Sequence, residues 1–176
     1  VPPSGKISVI SQSGALCVAI LDWAAKEKLG MGKVISIGNK ADLNEADFLQ
    51  ALAEDKETTV IASYLESIKD GNKFLRIAEE AAAIKPVLIL KVGTTQAGAK
   101  AASSHTGSLA GADIAYGAAF RRSGVIRAEN VEALFDYALA FASQPVPNGN
   151  RVAVITNAGG PGIMAADSAE SLGLKM

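Results

Sequence analysis

Apolar and polar positions follow two rhythms along this chain. Short apolar runs at Lys6–Ile10, Gly32–Ile37, Thr58–Ser63, Val87–Lys91 and Val125–Arg127 read as strands. Between them lie helix-length amphipathic segments, from Ser13–Gly14 to about Leu29, Glu45 to Ala53, Lys73 to Ala83, about Ala110 to Arg121, and Val131 to Phe141. Pro86 closes the third of these and opens the fourth strand. Strands and helices alternating at this spacing predict a parallel sheet with helices on both faces. Five such units predict a flavodoxin-like domain over residues 1–142, with strand order 2-1-3-4-5. Residues 143–150, Ser-Gln-Pro-Val-Pro-Asn-Gly-Asn, have linker composition. Beyond them Arg151–Ile155 reads as one more buried strand, then a glycine-rich turn and a helix from about Gly162 to Leu172. This unit is either a sixth strand of the same domain or, the expected reading, the truncated start of a second α/β domain at 151–176.

Composition narrows the partners. Of 176 residues, 49% are hydrophobic and 20% charged, an ordinary balance for a chain with a core of its own. Seventeen basic and 18 acidic residues leave a net charge of −1, and no block of one sign stands out, so neither nucleic acid nor an acidic membrane surface is expected as a partner. The single cysteine, Cys17, rules out an intrachain disulfide and points to a reducing, cytoplasmic compartment. Its place in an apolar helical run predicts buried packing. No run approaches the ~18 apolar residues that a spanning helix needs. The first residues, Val-Pro-Pro-Ser-Gly, have no initiating Met, basic leader or apolar signal core, and both ends read as cut from a longer polypeptide.

In an open parallel sheet, ligands bind beyond the carboxyl ends of the strands, and these ends carry unusual residues here. Strand one is followed by Ser11-Gln12-Ser13-Gly14, small residues at a helix start, where backbone N–H groups and the helix dipole favour an anion. Ser13 serves equally well as a plain N-cap. After strand three comes Tyr64-Leu65-Glu66; Glu66 is either a solvated loop residue or a carboxylate beside the Ser11–Gly14 turn, because strands one and three are neighbours in the expected order. The long segment after strand four runs from Gly93 to Gly107 and holds His105, the only histidine of the chain. Small neighbours, Ser103-Ser104-His105-Thr106-Gly107-Ser108, leave room for a bulky group on the imidazole. A lone histidine is more often structural, but its place at the carboxyl edge near a helix-start anion site and a carboxylate favours a nucleophile. Such a nucleophile needs one ring nitrogen unprotonated and its tautomer fixed, with Glu66 as the candidate partner. A second glycine-rich helix start, Thr156-Asn157-Ala158-Gly159-Gly160-Pro161-Gly162, has no Walker Lys or Ser/Thr and therefore does not read as a triphosphate cradle. No metal ligand set is assigned.

Three runs, Gly5-Lys-Ile-Ser-Val-Ile-Ser-Gln-Ser-Gly-Ala-Leu16, Ser36-Ile-Gly-Asn-Lys-Ala-Asp42 and Ser103-Ser-His-Thr-Gly-Ser-Leu-Ala-Gly111, resemble the ADP-forming acetate–CoA ligases, relatives of succinyl-CoA synthetase. The resemblance covers essentially the whole chain. It implies a succinyl-CoA-ligase-like flavodoxin domain at 1–142 and the beginning of the next ligase domain at 151–176. It implies a reversible reaction in which acyl-CoA, ADP and phosphate give a carboxylic acid, CoA and ATP through a phosphohistidine. His105 matches the phosphohistidine and Glu66 the glutamate that orients it. Ser11, Gln12, Ser13 and Gly14 match one phosphate-binding helix start, and Asn157, Gly159 and Gly160 the other. Coenzyme A, ADP or ATP, phosphate and Mg²⁺ would serve the full-length enzyme, with this fragment holding none tightly apart from phosphate or sulfate. The implied partners are a CoA-binding domain, an ATP-grasp domain or subunit, and a small-molecule acyl-CoA, in an oligomer. The fragment alone is expected to be inactive in the full reaction. The alternative is an acyl-CoA-dependent protein lysine acetyltransferase or regulatory module of the same domain family; that branch is expected to lack the histidine.

Overall fold

The computed structural model describes residues 1–95, 98 and 113–176. Val1–Gln144 and Pro145–Met176 form separate compact units. The first contains five strands, β1 Ser4–Ser11, β2 Met31–Ser36, β3 Val60–Leu65, β4 Val87–Lys91 and β5 Ile126–Ala128. They pair in parallel throughout, in the order β2-β1-β3-β4-β5, as the alternating pattern predicts. The helices of this unit are α1 Gly14–Lys26, α2 Glu45–Glu54, α3 Gly71–Ala82, α4 Asp113–Arg122 and α5 Val131–Ser143.

Local chemistry places the helix starts. Side-chain oxygens of Ser13, Asn44, Asp70 and Asn130 accept from the first-turn N–H groups of Leu16, Ala46, Lys73 and Ala133. Asn44 also donates its own N–H to Asp47, which closes a capping box. Successive strand residues then face opposite ways. Ile10, Ile61 and Ile89 pack with Leu49, Phe74 and Phe120 of α2, α3 and α4, whereas Val9, Ala62 and Leu88 pack with Ile20, Leu134 and Phe135 of α1 and α5. The central strands β1, β3 and β4 are thus buried on both faces, which is why they read as apolar runs, whereas the edge strand β2 is partly exposed. Cys17 is buried in α1, as its apolar neighbours imply. Near the start of β1 the backbone runs so close to Gly30, just before β2, that a Cβ on Gly5 would collide with the Gly30 backbone, so only glycine fits there.

Two expectations shift. β3 begins two residues later than the pattern suggests and includes Tyr64 and Leu65. Thr58 is instead engaged through its hydroxyl with Ser8 at 2.7 Å and with Asp55, so Glu66 is the first residue past the strand. In the second unit, the strand expected at Arg151–Ile155 does not form a ladder; Arg151 makes an isolated parallel bridge to Lys175, and Ile155 is 98% exposed. A single βα unit supplies no neighbouring strand to pair its backbone groups or bury its apolar side. Helix α6, Gly159–Ser171, does form and begins three residues before the expected start. Among the described residues no helix is long and apolar enough to cross a membrane.

A charge cluster at the amino-terminal side of the sheet sets an acid response. Lys33 Nζ lies 2.7 Å from Asp55, and its hydrogen bond, with that of the Thr58 hydroxyl second, holds the Asp55 carboxyl at about 2. A depressed folded-state value means the stabilisation is present above the ordinary carboxylate value and is lost as the pH falls from about 4 to about 2. Asp55→Asn is expected to be less stable than the unaltered chain at pH 6 and equal to it near pH 2. Urea unfolding across that range checks this, and a constant difference between the two chains would contradict it.

Candidate functional site

The carboxyl edge of the sheet is built around one turn. β1 ends at Ser11, which pairs with Tyr64, and β3 ends at Leu65, which pairs with Lys91 at the end of β4. This register brings the Ser11–Gly14 turn beside the Glu66 turn, as the expected strand order requires. The link between them is Gln12. Its side-chain carbonyl accepts from the N–H groups of Glu66 at 2.8 Å and Ser67 at 3.0 Å, and its amide nitrogen lies 3.3 Å from Ser67 Oγ. Gln12 is 8% exposed. Its side chain holds the turn, with both ends of the amide engaged.

From the other side the same turn is held by a buried ion pair. Lys40 Nζ lies 3.0 Å from Glu45 Oε2 and donates to Ser67 O at 2.8 Å. The two side chains are 5% and 2% exposed. Glu45 Oε1 accepts from Lys69 N, fixing the turn further along. Glu45 Oε2 has no hydrogen bond of ordinary geometry and relies on the Lys40 charge. Lys40 adopts a left-handed φ of 57°, a conformation that costs a non-glycine residue about 1 kcal/mol or more. The buried contacts of its ammonium compensate for that.

Lys91 completes the frame. It is 3% exposed, donates to Glu66 O at 2.7 Å and to Val92 O, and sits 4.6 Å from the centre of the Tyr116 ring in α4. Burial pushes its ammonium down to about 8; Arg127 adds repulsion, Asp113 opposes it, and Lys40 and Glu66 contribute with opposite signs. Burial, with the Glu66 charge second, pushes the Tyr64 hydroxyl up. Glu66 itself is half-buried.

The start of α1 lies at this edge. Ser13 Oγ caps Leu16 N at 3.2 Å, and Ser13 N points to Ser11 Oγ at 3.1 Å. The N–H groups directed outward are therefore those of Gly14 and Ala15, the first two of the helix, which have no intrahelical acceptor and sit on exposed residues. Ser13 is thus the N-cap that its sequence context allowed. Beside them opens a cavity of about 630 Å³, with Ser13, Tyr64 and Glu129 among its polar walls and Leu16, Leu90 and Val92 among its apolar ones. In the second unit, α6 begins without a side-chain cap; Thr156 Oγ1 engages Ala158 N at 3.1 Å, and Gly159 and Gly160 have open space around them. Asn157 precedes this helix start and is exposed.

His105 lies outside the described residues, along with Ser103, Ser104 and the rest of its motif. The chain leaves β4 at Val92, is described through Thr95 and at Gly98, and is next described from Asp113, in a helix. Among the described residues no group of His, Cys, Asp and Glu could hold a metal ion. Three site residues escaped the reading of the sequence. Lys40 stood inside the Ser36–Asp42 motif without a role. Glu45 stood only as the first residue of the second helix. Lys91 was visible only as a lone cation ending the apolar run of β4.

Comparison with known proteins agrees with this fold. The family of succinyl-CoA-ligase-like flavodoxin domains matches residues 4–141. An ADP-forming acetate–CoA ligase I of Archaeoglobus fulgidus is 51% identical over 99% of this chain, which spans 25% of that protein. The alpha subunit of an ADP-forming acetate–CoA ligase I of Pyrococcus furiosus is 48% identical over 98% of the chain, which spans 37% of it. A solved structure of the dinucleotide-forming acetyl-coenzyme A synthetase 1 of Ca. Korarchaeum cryptofilum, in complex with phosphate and ADP, superposes with a TM-score of 0.94 at 40% identity; it covers all of this chain and 38% of its own. The chain thus spans between a quarter and two fifths of these relatives.

The role assigned to Gln12 is testable. Gln12→Leu keeps the volume but leaves two buried N–H groups without their acceptor, which costs about 1–3 kcal/mol each. Amide exchange at Glu66 and Ser67 should accelerate well beyond that of the β3 core. Unchanged protection at both amides would mean the turn is held without Gln12.

Proposed function

The chain belongs to the family of succinyl-CoA-ligase-like flavodoxin domains, and on that premise we propose that it forms the phosphohistidine-bearing part of an NDP-forming acyl-CoA synthetase. The observation that carries the proposal is the Glu66 turn, whose backbone is held from the ends of β1 and β4, beside the first-turn N–H groups of α1 and at the edge from which the chain runs to His105.

In the proposed reaction, phosphate attacks the thioester of an acyl-CoA, giving an acyl phosphate and free CoA. A neutral ring nitrogen of His105 then attacks phosphorus. The bond between phosphorus and the acyl oxygen breaks, the carboxylate leaves, and ADP later takes the phosphoryl group to become ATP. Phosphoryl transfer depends on positioning and charge stabilisation more than on covalent help from the protein. Glu66 accepts a hydrogen bond from the other ring nitrogen, fixes the tautomer and stabilises the cationic phospho-imidazole. The Ser11–Gly14 turn offers the N–H groups of Gly14 and Ala15 to the phosphate, and Asn157, Gly159 and Gly160 offer a second such helix start.

Residues 1–142 act as the flavodoxin-like domain, 143–150 as linker and 151–176 as the start of the next ligase domain. Coenzyme A, the nucleotide and Mg²⁺ are held by further domains or a partner subunit, in a cytoplasmic oligomer. This chain by itself therefore does not complete the reaction.

The test is labelling of the complete enzyme that carries this chain. With labelled ATP and Mg²⁺, acid-labile label should appear. It should vanish in His105→Ala and in His105→Asn, whose amide is no nucleophile. Glu66→Gln should fold normally and label more slowly by on the order of 10²-fold. Persistent labelling of His105→Ala would refute the reading; a normal rate in Glu66→Gln alone would remove only the role of Glu66.

A further inference from the structure

We propose that Lys91 is a positioning residue for Glu66, joining the Glu66 turn, the end of β4 and helix α4 into one unit through a single ammonium group. The inference rests on the proposed phosphoryl-transfer role of Glu66.

Lys91 ends a strand whose other residues, Val87 to Leu90, are all apolar and buried. An apolar side chain would fill that position without removing a charge from water, and burial does work against this cation. What the ammonium does with its hydrogens identifies its use. One goes to Glu66 O, 2.7 Å away, and another to Val92 O, on the residue where the chain departs toward His105. Its charge also rests over the ring of Tyr116, in the helix at which the chain returns.

The backbone of Glu66 is consequently gripped on both sides. Its N–H is held by Gln12 Oε1 and its carbonyl by Lys91 Nζ, so the Cα has little freedom, and that limits where the carboxylate can reach. For a group that must meet an imidazole in line with a transferring phosphorus, that restriction matters: displacement by about 1 Å costs on the order of 10²-fold in rate. The second contact sets the strand end against the same carbonyl and so fixes the distance from the Glu66 turn to the start of the His105 segment. Arg127, which pairs with Asp113, adds positive charge on the α4 side, and Lys40 adds it from the side of the buried pair.

A double-mutant cycle in the complete enzyme tests this. Single variants Lys91→Met and Glu66→Gln and the double variant are compared by the rate of acid-labile phosphorylation and by the KM for ADP. Lys91→Met should slow labelling at least about tenfold, with KM for ADP within about twofold. In the Glu66→Gln background the same substitution should change the rate by less than about threefold, because it acts through a carboxylate already gone. Lys91→Gln, which retains an N–H donor without the charge, should lie between Lys91→Met and the unaltered enzyme; it supplies the same coupling if Lys91→Met does not fold. Equal rate losses in both backgrounds, or no loss in either, would overturn the proposal. If His105→Ala abolishes label while the cycle is additive, only the role of Lys91 falls. If His105→Ala still labels, the underlying reading falls with it.

Discussion

A lysine and a glutamate buried together at the carboxyl end of the sheet govern the architecture of this edge. Removing Lys40 and Glu45 from water costs several kcal/mol for each ion, and their attraction repays that only if the remaining hydrogens and lone pairs are satisfied. They are satisfied largely by the turn after β3: Ser67 O takes the lysine, and Lys69 N goes to the glutamate. The pair and the turn therefore stand or fall together. Losing either partner would leave a charge in the protein interior, at a cost of about 3–5 kcal/mol. The left-handed backbone at Lys40 is tolerated for the same reason.

Once that turn is fixed, the other features follow from neighbourhood. Gln12 comes from β1, the central neighbour of β3, and reaches the Glu66 and Ser67 amides because the parallel register sets Ser11 opposite Tyr64. Lys91 comes from β4 on the other flank and reaches the Glu66 carbonyl because Leu65 lies opposite it. The ends of β1 and β4 thus both hold the backbone of the residue that follows β3. An open parallel sheet collects such groups at its carboxyl edge regardless of chemistry; here the groups collected are a carboxylate, two lysines and a helix start with outward N–H groups.

Much of this was readable in the sequence. The two hydrophobic periods give five βα units and their order, and Val87–Lys91 is a strand over the expected residues because Pro86 marks its beginning and the run is apolar throughout. Ser11 and Glu66 fall at the carboxyl edge as the order 2-1-3-4-5 demands. What the pattern does not reveal is how polar side chains are used once they meet. Nothing in the run around Gln12 shows that its amide meets the Glu66 and Ser67 turn; only the folded neighbour does. Lys40 and Glu45 are five residues apart and look like two surface charges; their burial is decided by a turn more than twenty residues further on. Arg151–Ile155 has the composition of a strand, but composition cannot supply the neighbouring strand that a ladder requires.

The central claim is that this edge exists to hold a phosphorylated imidazole. The most direct measurement is ³¹P NMR of the complete enzyme, labelled with ¹⁵N at histidine and phosphorylated by ATP and Mg²⁺, followed by mapping of the modified peptide at alkaline pH. The account predicts a phosphoramidate resonance coupled to an imidazole nitrogen, lost in acid and stable in alkali, and located in the peptide that contains His105. A phosphate ester resonance, or a phosphoramidate mapped to a histidine outside this chain with His105 unmodified, would contradict it.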